Sequence, residues 1–412
     1  MKPSSMHERG FTLLEVMIAS SLGVVVIATG LVVGTQMQKR ALFEEQTMTA
    51  QVTGRAVKEM LTMDLSRAGM GMGNTHISFK DDDVRSAITV WRKPDLKTGA
   101  GTTLGADPTF EPPPAGFPVS DALQLYWGDT NGMVTLAECD GTSVRDTANT
   151  TRFCAKPQAS TAMVTPTGPA TAILVSGGNK LACPVSITGI NPGAAGTLSS
   201  ITVNNGGANA PSPTCNNAAQ WQKAAGTVEN WLALRLGGAA YRVNWRGGIP
   251  TLEVRAPSDA NWSVLSRDVE QLTVREGVVN LGSDQNVLNW YPGVNAGVTF
   301  PAISECDKAM YDLGNFCRTD VLSPTGAPLP AVSTYPDVKA EIIRRLRQRV
   351  RELEVTLVIR TRRTNRDADM SGQDEEGLAK DGYTRRRYTF IVTARNMTVG
   401  LSRPPADPAG GT

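Results

Sequence analysis

The sequence predicts an α+β protein in which one long N-terminal helix, half apolar and half amphipathic, carries a large antiparallel β-rich head. Three observations predict it. From Val16 to Gln38 no residue carries a charge, and most are Val, Ile, Leu, Met, Ala or Gly. From Gln36 to Ala68 there is no proline and a single glycine, Gly54. Beyond that point, runs rich in β-branched and aromatic residues alternate with Gly, Pro, Asn and Asp, the pattern of antiparallel hairpins.

The apolar run comes first. A bilayer core about 30 Å thick takes roughly 20 apolar residues at a rise of 1.5 Å each, so this run is long enough to span it. The sequence holds no second stretch of the kind, and a single N-terminal anchor is expected. Lys2, His7 and Arg9, against the acid Glu8, place positive charge before the span. That bias holds the N-terminus in the cytoplasm and sends the head across. Lys39 and Arg40 oppose it, but Glu44 and Glu45 follow closely. No secretory cleavage pattern closes the run, so the anchor is expected to be retained. Six cysteines, Cys139, Cys154, Cys183, Cys215, Cys306 and Cys317, all follow the span and none stands in a C-x-x-C pair, which fits an oxidising compartment. Pairing of sequence neighbours is expected, Cys139 with Cys154, Cys183 with Cys215 and Cys306 with Cys317. Buried free thiols are the alternative.

Glu15 stands inside the opening of the apolar run, where an ionised acid is expensive and ordinarily has a partner. Gly10, then Phe11, then Glu15 four residues later, within GFTLLEVMIA, resemble the class III signal of type IV prepilins. The resemblance implies a cut between Gly10 and Phe11 by a dedicated membrane peptidase, removing a leader of residues 1–10. It implies N-methylation of Phe11 as well. It further implies that Glu15 registers one subunit against another by pairing with a neighbour's terminal amine. A buried acid and a buried amine are each costly alone and tolerable together. The bland alternative is that Glu15 reaches out to the headgroups.

The helix is expected to continue past the membrane. Val52, Ala56, Met60 and Met63 recur at helical spacing and trace one apolar face, with Lys58, Asp64 and Arg67 off it. Gly69, Gly71 and Gly73 then stop the helix. This gives a membrane or fibre-core half over 11–38, an amphipathic half over 39–73 that packs on the head, and a head over 74–412. Gly30 and Gly34 form a G-x-x-x-G pattern that lets helices approach closely. Head strands are expected at SAITVWR, DALQLYWG, MVTLAEC, ATAILVSG, LSSITVNN, NWLALRL, AAYRVNW, TLEVRA, RDVEQLTVRE, RELEVTLVIRTR and RRYTFIVTARN. One later helix is expected from Val338 to Gln348, with Val338, Ile342, Ile343 and Leu346 on one face. The segments 95–118 and 191–217, rich in Gly, Pro, Asn and Ser, read as irregular insertions and poor core material, apart from the short run around Ile201.

The head offers little catalytic chemistry. Its histidines are limited to His76, with His7 in the leader, and no P-loop, G-x-S-x-G, zinc spacing or dinucleotide fingerprint occurs. An enzyme is not expected. Asp367, Asp369 and Ser371, then Gly372 and Glu375, match the first half of a calcium loop, but Leu378 stands at the twelfth position in place of a bidentate Glu. A solvated acidic loop is the preferred reading, with no cofactor. The basic run RRLRQRVRELEVTLVIRTRR, with Arg385, Arg386 and Arg387, can grip phosphates, but Glu341, Glu352 and Glu354 are interleaved and the net charge is only +2. A solvated face, or one that meets a partner's carboxylates, is preferred, and nucleic acid is not expected as a partner.

The runs WSVLSRDVEQLTVREG, RVRELEVTLVIRTRR and YTRRRYTFIVTARNM, with DLSRAGMGMG at the end of the long helix, resemble the PilW group of minor pilins. The region from about Phe79 to Gly226 matches no pattern of that group. The resemblance implies a minor pilin that primes assembly and sits in the tip complex of a type IV pilus, possessing no catalytic role. Implied partners are other minor and major pilins, a PilY-type tip adhesin, the prepilin peptidase and the inner-membrane assembly platform. The implied location is the inner membrane with a periplasmic head, and the extracellular fibre or tip after assembly. A J-type pseudopilin of a type II secretion system and a membrane-tethered adhesin or DNA-binding module that never polymerises are the competing readings.

Overall fold

The structure, a computed structural model, describes residues 12–79, 83–166, 168–176, 182–204, 213–222, 230–279, 288–295, 297–312, 317, 337–362 and 370–397. The chain forms two compact units, one of Met1–Val52 with Thr361–Arg385 and one of Thr53–Arg360 with Arg386–Thr412.

One helix, α1 (Leu13–Arg67), runs for 55 residues, about 80 Å at 1.5 Å per residue. Within the second unit its distal turns bury Gly54, Val57, Leu61, Leu65 and Ala68. The stripe read from the sequence, Val52, Ala56, Met60 and Met63, is exposed instead. Both stripes are apolar at helical spacing, so hydrophobic pattern alone does not choose between them. The inner one is chosen by close approach: the Tyr388 ring lies where a Cβ would stand on Gly54. Polar ties fix the same face. Tyr241 donates its hydroxyl to Asp64, and Asn396 Nδ2 donates to the Ser66 carbonyl at 3.0 Å. Past Arg67 the chain turns at Gly69 with φ of +75°, and the Gly69 amide donates to the Tyr126 carbonyl at 2.9 Å.

The larger sheet contains β1 (Ile77–Ser78), β2 (Val84–Arg85), β3 (Ile88–Trp91), β4 (Ala122–Thr135), β5 (Arg152–Ala155), β6 (Ala170–Ser176), β7 (Ala182–Asn191), β8 (Ser199–Asn204), β9 (Trp231–Asn244), β10 (Thr251–Arg255) and β11 (Ser263–Arg267). Part of it closes on itself. Antiparallel pairs run β4–β9, β9–β6, β6–β7, β7–β8 and β8–β5. Just past β4, Leu136 bridges back to Ala155 of β5, flanked by Lys156 N to Thr135 O and Ala137 N to Cys154 O, both 3.0 Å. The result is a small six-stranded barrel filled by Leu136, Phe153, Leu174, Val185, Trp221 and Trp231, among others. Successive residues of a strand face opposite ways. On β6, Ala172 and Leu174 therefore point into the barrel, while Ile173 and Val175 pack outside against Met72, Ile77 and Tyr126. That double burial explains the unbroken apolar run AILV, Ala172 to Val175, within β6.

Several expectations need correction. DALQLYWG and MVTLAEC form one strand, as do NWLALRL and AAYRVNW. Gly237 and Gly238 do not break the second because β4 fills the space: Trp127 pairs across from Gly237 and its indole occupies the position of the missing Cβ. The head is not wholly antiparallel, since β1 meets β7 in parallel at Ile77 and Ala182. The insertion 95–118 lacks helix or strand, yet Leu96, Leu104 and Phe110 are buried beside Trp91, Ala122 and Ala240. It is a pinned cover rather than poor core material.

A second sheet has the order β13–β12–β16–β17, with β12 (Val269–Val279), β13 (Leu288–Tyr291), β16 (Val350–Arg360) and β17 (Arg385–Thr393). Between β13 and β16, β14 (Gly293–Asn295) and β15 (Val298–Phe300) make a two-stranded ribbon. The Val338–Arg347 helix starts at Asp337, whose side chain accepts from the Ala340 amide at 2.9 Å. Near it, charged groups are deeply buried. Burial pushes the Glu276 carboxyl up to about 8, with Arg347 opposing and Asp121 reinforcing. Burial, and then Arg344 and Arg347, hold His76 well below its ordinary 6.5. Between pH 4.5 and about 8 folded Glu276 keeps a proton that the unfolded chain releases, so its contribution falls as pH rises. Folded His76 refuses a proton that the unfolded chain takes up below 6.5, so its contribution falls as pH drops. The two oppose each other between 4.5 and 6.5, and above 6.5 Glu276 acts without that counterweight. The melting temperature of the full chain in detergent should therefore decline from pH 6.5 to 8, and Glu276→Gln should flatten that limb. An unchanged alkaline limb in the variant would refute the assignment.

Candidate functional site

The first turn of α1 is closed by its own side chains. Glu15 Oε2 accepts from the Thr12 amide and from the Thr12 hydroxyl, each at 3.0 Å, and the Glu15 amide donates to Thr12 Oγ1 at 3.3 Å. This is a reciprocal capping box, T-L-L-E, which satisfies donors that the first turn of any helix leaves open. The T-x-x-E spacing of this cap, Thr12 to Glu15, is a local signal present in the sequence.

Past this cap, the most apolar 18-residue window has a mean hydropathy of 2.5, and none of it is buried within the chain. Its few polar side chains are satisfied internally. Ser20 donates to the Met17 carbonyl at 3.0 Å, Ser21 to Ile18 at 2.9 Å, Thr29 to Val25 and Val26, and Thr35 to Val32 at 2.9 Å. A helix whose hydroxyls bond back to its own carbonyls leaves lipid no unsatisfied polar group. The open flanks of Gly23, Gly30 and Gly34 have no atom within 4 Å of where a Cβ would stand. Glu15 is thus a capped carboxylate at the mouth of an uncovered apolar rod.

Residues 5–31 match the family described as the prokaryotic N-terminal methylation motif. At its N-terminus the chain is type IV pilin-like. The motif supports a pilin or pseudopilin and indicates a structural protein anchored in a membrane. Searches of curated proteins and of solved structures gave no match for the chain. Gly10 and Phe11, the expected cut, fall within the matched span and lie outside the described residues.

In the head of this pilin-like chain the cysteines form three disulfides, Cys139–Cys154, Cys183–Cys215 and Cys306–Cys317. The first two belong to the barrel. Cys154 lies on β5, Cys183 lies on β7, and the Cys215 carbonyl accepts from the Trp221 indole at 2.7 Å. Of the possible calcium loop, Ser371 and Glu375 are exposed, while Asp367 and Asp369 lie outside the described residues. The nearby acids are engaged otherwise: Asp374 and Asp381 each hold Arg385 at 2.7 Å. Among the described residues no group of three or more His, Cys, Asp or Glu side chains comes together as a metal site.

The arginine-rich run is largely turned inward, contrary to the solvated face expected from its alternation. Arg344 and Arg345 both reach Glu341 at 2.5 Å, Arg360 reaches Glu270 at 3.5 Å, and Arg349 is buried. Glu341 is itself buried. A helix turn that brings residues three and four apart together lets one acid hold two arginines, and that geometry outweighs the strand-like alternation of the charges.

Proposed function

We propose that the chain is a minor pilin of a type IV pilus, cut after Gly10, methylated at Phe11 and held in the inner membrane by α1 before its extraction into the fibre. In this reading it helps prime assembly and sits in the tip complex with other pilins and a PilY-type adhesin. The observation that carries the proposal is Glu15, a carboxylate at the fifth position after the expected cut, at the start of an exposed apolar helix that carries the methylation motif. The capping box supports it. After cleavage the new amine belongs to Phe11, one residue before the Thr12 amide that Glu15 already accepts from. The carboxylate is therefore held where terminal amines gather when two such helices meet side by side. The exposed faces of Ala56, Met60 and Met63 offer neighbouring subunits a further apolar contact.

A bulky head with a disulfide-stapled barrel suits a terminal subunit better than a repeating shaft, and the PilW-type resemblance of its strands agrees. The methylation motif serves a J-type pseudopilin equally well, so genetics must separate the two. Deleting the gene should remove surface pili and leave enzyme secretion intact; the reverse would favour the pseudopilus. Mass spectrometry of the mature protein is the direct test of processing. The chain purified from its native membrane should begin at N-methylated Phe11, and one that begins at Met1 would refute the proposal.

A further inference from the structure

Among the described residues of the head is a cleft of about 240 Å³ between β4, β9 and the end of β10. It is larger than the roughly 150 Å³ cavity that takes a benzene ring, so a six-membered ring with a substituent fits. Two arginines line it, and they differ in kind. Arg85 is fully committed: Nε and Nη2 donate to Asp83 Oδ2 at 2.8 and 2.6 Å, and Nη1 donates to the Tyr126 hydroxyl at 2.8 Å. Arg255 donates Nη2 to the Leu104 carbonyl at 2.7 Å and lies 4.7 Å over the Trp262 ring. It has no carboxylate partner among the described residues.

Beside it, Gln124 is 6% exposed and takes the Thr103 hydroxyl on Oε1 at 2.8 Å, which leaves its amide hydrogens uncommitted. A half-buried guanidinium fork and a buried amide donor therefore line one cavity. Burial, and then the neighbouring Arg242, hold Arg255 below the usual arginine range, with Tyr126 and Asp107 opposing. The remaining walls include Ala239, Ala240 and Pro257, with one carboxylate, Asp259, also lining the cleft. Arginine pairs bidentately with carboxylates, and charge-assisted bonds of this kind are the strong ones.

We propose that this cleft is a ligand site for a small acidic sugar, a six-membered ring whose carboxylate pairs with Arg255 and Gln124 while Asp259 accepts from a ring hydroxyl. The site rests on the head and stands whether or not the chain polymerises. The chemistry is shared by a free uronic acid and by the end of an acidic polysaccharide.

Isothermal titration of the full chain in detergent with galacturonate, glucose and trigalacturonate tests it. Galacturonate should bind at least about ten-fold more tightly than glucose, and Arg255→Gln should weaken it by a similar factor. Because Arg255→Gln also disturbs the Leu104 and Trp262 contacts, Ala256→Phe provides a second arm: it fills the cleft, keeps Arg255, and should abolish binding without lowering the melting temperature. A trisaccharide that binds more tightly than the monomer assigns the site to a polysaccharide end, and equal affinity assigns it to the free acid. Galacturonate that binds no better than glucose, or equally well to parent and Ala256→Phe, overturns the proposal.

Discussion

Glu15→Ala is expected to enter the membrane as well as the parent chain, or better, and to fall by at least about ten-fold in sheared fibre preparations. Membrane entry gains because a carboxylate leaves an apolar span. Fibre entry suffers because, in the proposed mechanism, that carboxylate is what a neighbour's terminal amine docks on. The capping box makes a control possible. Thr12→Val removes the hydroxyl that Glu15 accepts from and donates its amide to, but keeps the charge. A helix of 55 residues does not depend on one cap for its existence, since propagation dominates once the helix is nucleated. Thr12→Val should therefore assemble nearly as well as the parent. Immunoblots of fibre and membrane fractions give the ratio directly. If both variants assemble normally, Glu15 serves its own helix and nothing else. If both fail alike, the cap is the function and the proposed subunit pairing is wrong.

What could be read from the sequence follows from how local each signal is. The long helix was legible because an uncharged run followed by proline-free chain admits few other structures. The glycines at 69, 71 and 73 marked its end for the same local reason. Its packing face was not legible. Val52, Ala56, Met60 and Met63 and the inner set from Gly54 to Ala68 are both apolar at helical spacing, and the choice was made by Tyr388, more than three hundred residues away. The barrel was invisible because its closure depends on Leu136 meeting Ala155 after the strands between have set their registers. Strand β7 was missed because its cysteine, proline and glycine, in ACPVSITGIN, read as breaks. The cleft at Arg255 could not be read at all. Its residues come from β2, β4, β9, β10 and their loops, and the decisive property of Arg255, having no acid partner among the described residues, is a fact of assembly rather than of sequence.

Arg242→Met is expected to destabilise the head by about 3–5 kcal/mol, a fall of roughly 10 °C in melting temperature. Arg242 on β9 is almost wholly enclosed. Its Nε donates to Glu253 Oε2 at 2.8 Å and its Nη2 to Asp107 Oδ2 at 2.5 Å. Glu253 is its cross-strand partner on β10 and is 1% exposed. Once Arg242 is gone the two acids fare differently. Asp107 keeps the Thr109 amide and hydroxyl at 2.9 and 2.6 Å, and it is partly open to water. Glu253 keeps Asn244 Nδ2 at 3.2 Å and the distal Arg246 at 3.3 Å, which is thin compensation for a buried charge. The loss therefore comes mainly from the stranded carboxylate rather than from the missing attraction. Arg242→Met with Glu253→Leu removes both charges and should recover most of the stability, because a buried ion pair gains little over apolar packing of similar volume. A double variant as unstable as the single one would mean that the pair contributes net stability, and that the loop carrying Asp107 is held down by it. Limited proteolysis distinguishes these cases: cleavage between residues 95 and 118 should rise in the double variant only if the Asp107–Arg242 tie, rather than burial of Leu96, Leu104 and Phe110, keeps the cover closed.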